Sequence, residues 1–98
     1  MLVKIHDAYR TIVAVCDTEL LGKKFEEGDK QLDLTGNFFR GEEKTEEEVA
    51  EILDDAERED AIFNLVGKQT CEVASKIGLI DENGITYIES VPVALVLV

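Results

Sequence analysis

The segment from Glu42 to Asp60 constrains the fold more than any other part of this chain, because it reads both as a helix and as a strongly charged surface. Thr45 followed by Glu48 forms a capping box, in which the hydroxyl and the carboxylate each accept a backbone N–H that the first helical turn leaves without a partner. Glu46, Glu47 and Glu48 lie at the positive end of the helix dipole, which favours negative charge there by about 0.3–1 kcal/mol per residue. Val49, Ile52, Leu53 and Ala56 then recur at i, i+3, i+4 and i+7, so one apolar stripe must pack inward. Glu47, Glu51, Asp54, Asp55 and Arg58 project elsewhere.

Eleven of the 22 acids fall in these 19 residues, against Lys44 and Arg58 alone, which places minus nine of the net minus twelve on one stretch. Charge at this density repels nucleic-acid phosphate on average and points to a basic protein partner for the helix Thr45 to Arg58. The same acidity also fits a solvated face, or a cell with high internal salt. With 45% hydrophobic residues, one Pro and 98 residues in all, the chain reads as one packed domain, 1–98, since disordered chains lack the apolar surface to offset ordering entropy. Met1 to Ile5 lacks the pattern of a secretory signal, and no apolar run approaches the ~20 residues of a membrane span. A cytoplasmic protein with no membrane association is expected. Cys16 and Cys71 sit in apolar surroundings without the short spacing of a redox or zinc pair, so both are expected buried and reduced.

Leu2 to His6 and Thr11 to Cys16 are β-branched apolar runs spaced as an antiparallel hairpin. Asp17 or Thr18 can cap a helical turn through Leu20 and Leu21 that Gly22 ends. Gln31 to Leu34 alternates polar with apolar as a short half-buried strand or hairpin arm, and Phe38 and Phe39 are expected to anchor this middle segment. Ala61 to Val66 is an apolar strand broken only by Asn64; a second helix runs from Cys71 to Ile77 and stops at Gly78. Asn83-Gly84 signals a turn before a strand from Ile85 to Glu89. Val91 to Val98, apolar throughout, reads as a strand buried on both faces or as one that pairs with a second copy in a homo-oligomer. Together these elements predict an α+β domain, a mixed, largely antiparallel sheet of about five to seven strands with two main helices packed on it.

In order along the chain, Cys16-Asp17, Leu20-Leu21-Gly22-Lys23, Phe25, Gly28, Leu32, Phe38-Phe39, Gly41 and Asn64-Leu65-Val66-Gly67 resemble an archaeal family known as domain of unknown function 424. The resemblance runs through Val91-Pro92 and implies a cytoplasmic single-domain protein of unassigned function, with no catalytic residues to carry over. Polar residues often follow the Val-Pro pair in that family's pattern, whereas Val93, Ala94 and Leu95 follow here, which argues against a polar role for the terminal segment.

The candidate ligand site is the turn after Val66. A strand ending in Gly67-Lys68-Gln69-Thr70 and opening a helix offers N–H groups, a cation and a hydroxyl to one point, as anion-binding helix starts do; Asn64 could contribute or tie down the turn. A phosphate-binding loop would need a glycine where Ile62 stands and a hydroxyl beside Lys68, so ordinary helix capping is the simpler reading. His6, Cys16, Cys71 and Asp17 lack the paired spacings of a structural metal site, and neither a metal nor another cofactor is expected. His6 and Asp7, adjacent on a strand, face opposite ways and do not form an acid–base pair. Lys23, Lys24, Lys30 and Arg40 are interleaved with acids and do not make an RNA-binding patch.

With no catalytic set, the chain reads first as a binding or adaptor module acting through protein contacts. The alternatives are a small ligand-binding protein or enzyme using Asn64, Gly67, Lys68 and Thr70, and an accessory of RNA–protein assemblies.

Overall fold

The two apolar runs at the start of the chain form the expected hairpin. In the computed structural model, which describes residues 1–97, β1 (Leu2–Asp7) and β2 (Thr11–Cys16) pair antiparallel, with Leu2 opposite Cys16 and Asp7 opposite Thr11. A 3-10 turn (Thr18–Leu20) leads to a small separate hairpin of β3 (Lys24–Glu27) and β4 (Lys30–Asp33). The short β5 (Glu42–Glu43), α1 (Glu46–Arg58), β6 (Ile62–Val66), α2 (Lys68–Lys76), β7 (Thr86–Ile88) and β8 (Val91–Val96) follow. The main sheet has six strands in the order β5-β1-β2-β6-β8-β7, and β2 with β6 is its parallel pair. The fold is α+β with a mixed, mostly antiparallel sheet and two main helices.

Alternation along the strands divides the core in two. One face sends Val3, Val13, Val15, Phe63, Leu65 and Ala94 against the helices, where Val49 and Leu53 of α1 are fully enclosed and Ile52 and Ala56 complete the stripe. α1 lies over β1 and β2, with Ile52 beside Val3 and Ile5; α2 lies over β6 and β8. The other face sends Leu2, Ala14, Cys16 and Val66 against Leu32, Leu34 and Phe39 of the small hairpin and the loop after it. Each enclosed Val or Leu contributes about 1.5–3 kcal/mol of burial.

Several local expectations are corrected by tertiary contacts. The second helix begins at Lys68, three residues before Cys71, because a side chain from elsewhere caps it. Asn83-Gly84 does form the expected turn before a strand, as a 3-10 turn (Glu82–Gly84) in which the Asp81 carboxylate accepts the Asn83 N–H at 3.0 Å. A further tight turn, one the sequence did not signal, falls at Glu89-Ser90 between β7 and β8, with φ of 49° and 68° and no glycine. That left-handed backbone is held from outside: the Glu89 carboxylate accepts the Glu26 N–H and the Glu27 carboxylate accepts the Glu89 N–H, both at 2.7 Å. Of the two aromatic anchors only Phe39 is buried, while Phe38 is 41% exposed. The last strand is not covered on both faces along its length: Pro92 and Ala94 are buried, but Leu95 is 58% and Leu97 68% exposed. Val98, the end of the expected strand, lies outside the described residues.

The capping box is present in full: the Glu48 N–H donates to Thr45 Oγ1 at 3.2 Å and the Thr45 N–H to Glu48 Oε1 at 2.9 Å. These bonds hold the Glu48 carboxyl below its ordinary range, so the cap is intact near neutral pH and is lost as acidification protonates Glu48. Thr45→Ala is expected to cost about 1 kcal/mol of unfolding free energy by urea titration, without changing the far-ultraviolet circular dichroism of the native state.

Candidate functional site

At the carboxyl ends of the parallel strands β2 and β6, the chain turns away on both sides and leaves the kind of crevice where α/β sheets place ligands. Asp17 ends β2 and Gly67 ends β6, linked by the Asp17 N–H donating to the Val66 carbonyl at 3.0 Å. The Asp17 carboxylate does not cap its own 3-10 turn. It reaches across to α2, accepting the Gln69 N–H at 3.1 Å, the Thr70 N–H at 2.9 Å and the Thr70 hydroxyl at 2.9 Å. A buried acid, 4% exposed, is thereby fully hydrogen-bonded to the positive end of a helix. Gly67 makes the approach possible. Its φ of 112° belongs to glycine, and a Cβ there would stand 2.3 Å from the Asp17 Cγ.

The residues expected to form an anion site therefore separate. Gly67 and Lys68 line a shallow cleft of about 300 Å³, together with Leu20, Gln69, Ser90 and Pro92. Thr70 is fully buried and its hydroxyl is spent on Asp17. The amides that would hold an anion already hold this carboxylate. Asn64 sits upstream in the middle of β6, opposite Ala14 and Leu95, three residues before Gly67. Asp17 itself was not among the expected site residues. The sequence marks it as a possible cap of the turn that follows, whereas the helix it does cap begins about fifty residues on, with its partners 52 and 53 residues away.

Cys16 and Cys71 flank this knot and are both buried. Burial first, and then the Asp17 carboxylate, push each thiol up to about 11. His6 is held differently: its Nε2–H donates to the Phe38 carbonyl at 2.9 Å. Among the described residues, no group of three or more His, Cys, Asp or Glu side chains gathers as metal ligands would.

The second candidate is a surface. The small hairpin covers only the half of its sheet face nearest Asp17, and the cross-strand register reveals what the other half carries. His6 lies opposite Ile12, Ile12 opposite Ile62, and one more step along the β6–β8 register places Leu97 beside Ile62. The next row is Lys4, Ala14, Asn64 and Leu95, the boundary of the open half, since Ala14 is already enclosed beneath the small hairpin. The Phe38 ring stacks on His6 at 4.5 Å and 16°, and meets Phe39 edge-on at 5.1 Å, tying the patch to the buried core. Adjacent strands lie ~4.8 Å apart, so the row from His6 to Leu97 spans about 15 Å. Tyr9 stands fully exposed at the β1–β2 turn beside it.

The class defined by this fold and surface is a small α+β protein with a half-open sheet. The chain belongs to the family described as Protein of unknown function (DUF424), which matches residues 6–98. It is similar to the crystal structure of an uncharacterized conserved protein from Methanopyrus kandleri, at 25% sequence identity and a TM-score of 0.86, over 97% of this chain and 88% of that chain. A comparison with curated proteins finds no match.

Two outcomes test the knot. Asp17→Ala, which orphans two helix-start amides and a buried hydroxyl, should cost about 2–3 kcal/mol in urea unfolding; Gly67→Ala, through strain and the clash with Asp17, should cost at least about 1–3 kcal/mol. The raised thiol values predict that both cysteines react with a disulfide reagent at pH 8 about a hundredfold more slowly in the native state than in urea. Because the folded values lie above the ordinary 9.0, the stability these thiols contribute is present below pH 9 and is lost as the pH climbs toward 11, which a pH series of unfolding midpoints would register.

Proposed function

We propose that this chain is a protein-binding module that works without catalysis, and that its contact surface is the uncovered half of the sheet. One observation carries the reading: of the six large apolar side chains exposed among the described residues, Tyr9, Phe38, Leu95 and Leu97 lie on or beside this one patch, around the half-buried Ile12 and Ile62. Exposed apolar groups scattered singly need no explanation, but a contiguous patch on a rigid sheet marks an interaction surface. Cations lie close to the patch. Lys4 lies in its second row, and with Arg40 it borders the same edge of the sheet. The acidic outer face of α1 lies on the opposite side. The partner that fits is a protein presenting an apolar strip flanked by acidic side chains. Two free, buried thiols agree with the reducing interior of the cytoplasm.

The test compares what the wild type and two variants retain from a lysate of the protein's own cell, followed by reconstitution with the purified partner. Phe38→Ser combined with Ile12→Lys should weaken that partner's binding at least tenfold by calorimetry, while Glu51→Lys on the outer face of α1 should leave it unchanged. Release by Glu51→Lys alone would move the contact to α1 and overturn the reading. So would an RNA ligand lost through the face variant.

A further inference from the structure

We propose that the outer edge of β8 is a self-association site, at which two copies of this chain pair antiparallel and join their sheets. This concerns an edge of the sheet and goes beyond the reading of its face.

The edge is open and unprotected. β7 pairs with β8 only from Val91 to Val93, where Val93 meets Thr86, so the outer side of Ala94 to Leu97 faces no strand among the described residues. The direction of its hydrogen-bonding groups follows from one bond. The Gly67 N–H donates to the Pro92 carbonyl at 2.9 Å, on the β6 side, and alternation along the strand then turns Ala94 and Val96 toward β6 and Leu95 and Leu97 toward the open edge. Proteins normally blunt such edges with charge, proline or brevity. The opposite edge of this sheet does so, with a β5 of two glutamates and a β1 carrying Lys4 and Asp7. No charged residue occurs anywhere from Val91 to Val98, and Pro92 sits where β7 already covers the strand.

Charge selects a second copy at this edge and excludes one at the other. Copies meeting along β1 would set two α1 helices side by side, and each of those helices holds half of its chain's net minus twelve. Meeting along β8 leaves β6 and β8 of each copy between its α1 and the junction, a separation of about 25–35 Å between the two α1 helices at ~4.8 Å per strand, several times the ~8 Å screening length at physiological salt. Directly opposed residues of an antiparallel pair share a face, so a two-fold axis falls on a residue. With the axis at Val96, Leu95 pairs with Leu97 of the second copy and the reverse, which satisfies the four outward N–H groups and carbonyls of each copy's two leucines. The 58% and 68% exposed leucines then pack against each other, and the two open faces become one continuous surface.

Sedimentation over a concentration series tests the pairing. The wild type should shift to twice the monomer mass as its concentration rises; Leu95→Pro, which removes an outward N–H and spares the β6 ladder, should raise the dissociation constant at least tenfold, whereas Leu95→Thr should retain most of the association. Val96→Cys at the axis should form a covalent dimer on mild oxidation, since facing non-hydrogen-bonded pairs stand ~4.5 Å apart, within disulfide reach, and the two natural thiols are buried. A wild type that stays monomeric throughout overturns the proposal. The same holds if Leu95→Pro associates like the wild type, or if Val96→Cys gives no covalent dimer. Should Leu95→Pro fail to fold, the Val96→Cys result decides alone. Phe38→Ser, on the far side of the sheet, should leave the association unchanged, so loss of the partner-binding face and loss of the dimer can be told apart.

Discussion

The carboxylate of Asp17 is the contact on which the rest of the structure depends. It joins the end of β2 to the start of α2 through three hydrogen bonds and so closes the parallel pair at the centre of the sheet. A buried carboxylate without partners would be expensive, and a helix start without a cap would expose its first amides; each satisfies the other. The arrangement also dictates Gly67, whose missing Cβ leaves the space the carboxylate fills, and sets the beginning of α2. From there the two cores follow, because the strand alternation on either side of this knot assigns each residue to the helices or to the small hairpin.

That knot has a consequence for function. The strand–turn–helix that most resembles an anion cradle in the sequence is completed from within the molecule, by an acid of its own. The half of the sheet that the small hairpin does not reach is open to solvent. There the polar interruption at Asn64 makes sense, as a residue between Ala14 and Leu95 on a face bordered by solvent. The charge of the molecule is distributed to match. Acid gathers on α1 over β1 and β2, and the uncharged strand β8 lies at the far side. An edge without charges and a helix crowded with them are kept apart by the width of the sheet, which limits self-repulsion where the sheet is most exposed to pairing.

Contacts between near neighbours in the chain were legible from residues alone. Thr45 and Glu48 specify the start of α1 because both partners of the capping box lie within one turn. The hairpin of β1 and β2 is likewise a local event. Legibility failed where a distant side chain intervened. Asn83-Gly84 makes the turn it signals, but nothing local signals the hairpin turn at Glu89-Ser90, because Glu26 and Glu27 from the small hairpin hold those residues in a left-handed backbone. Phe38 and Phe39 look alike in sequence. Only their packing, one into the core and one onto His6, distinguishes an anchor from a surface aromatic.

By itself the sequence determined the inventory: an acidic amphipathic helix, a set of short strands, two inert thiols and the class of fold that such elements build. It could do so because periodicity, capping and burial preference act over a few residues. Only the tertiary structure decided which acid caps which helix, which half of the sheet stays open and which edge is left without charge. Those outcomes depend on register and strand order, properties of residue pairs that lie tens of positions apart in the chain and meet only when the sheet closes.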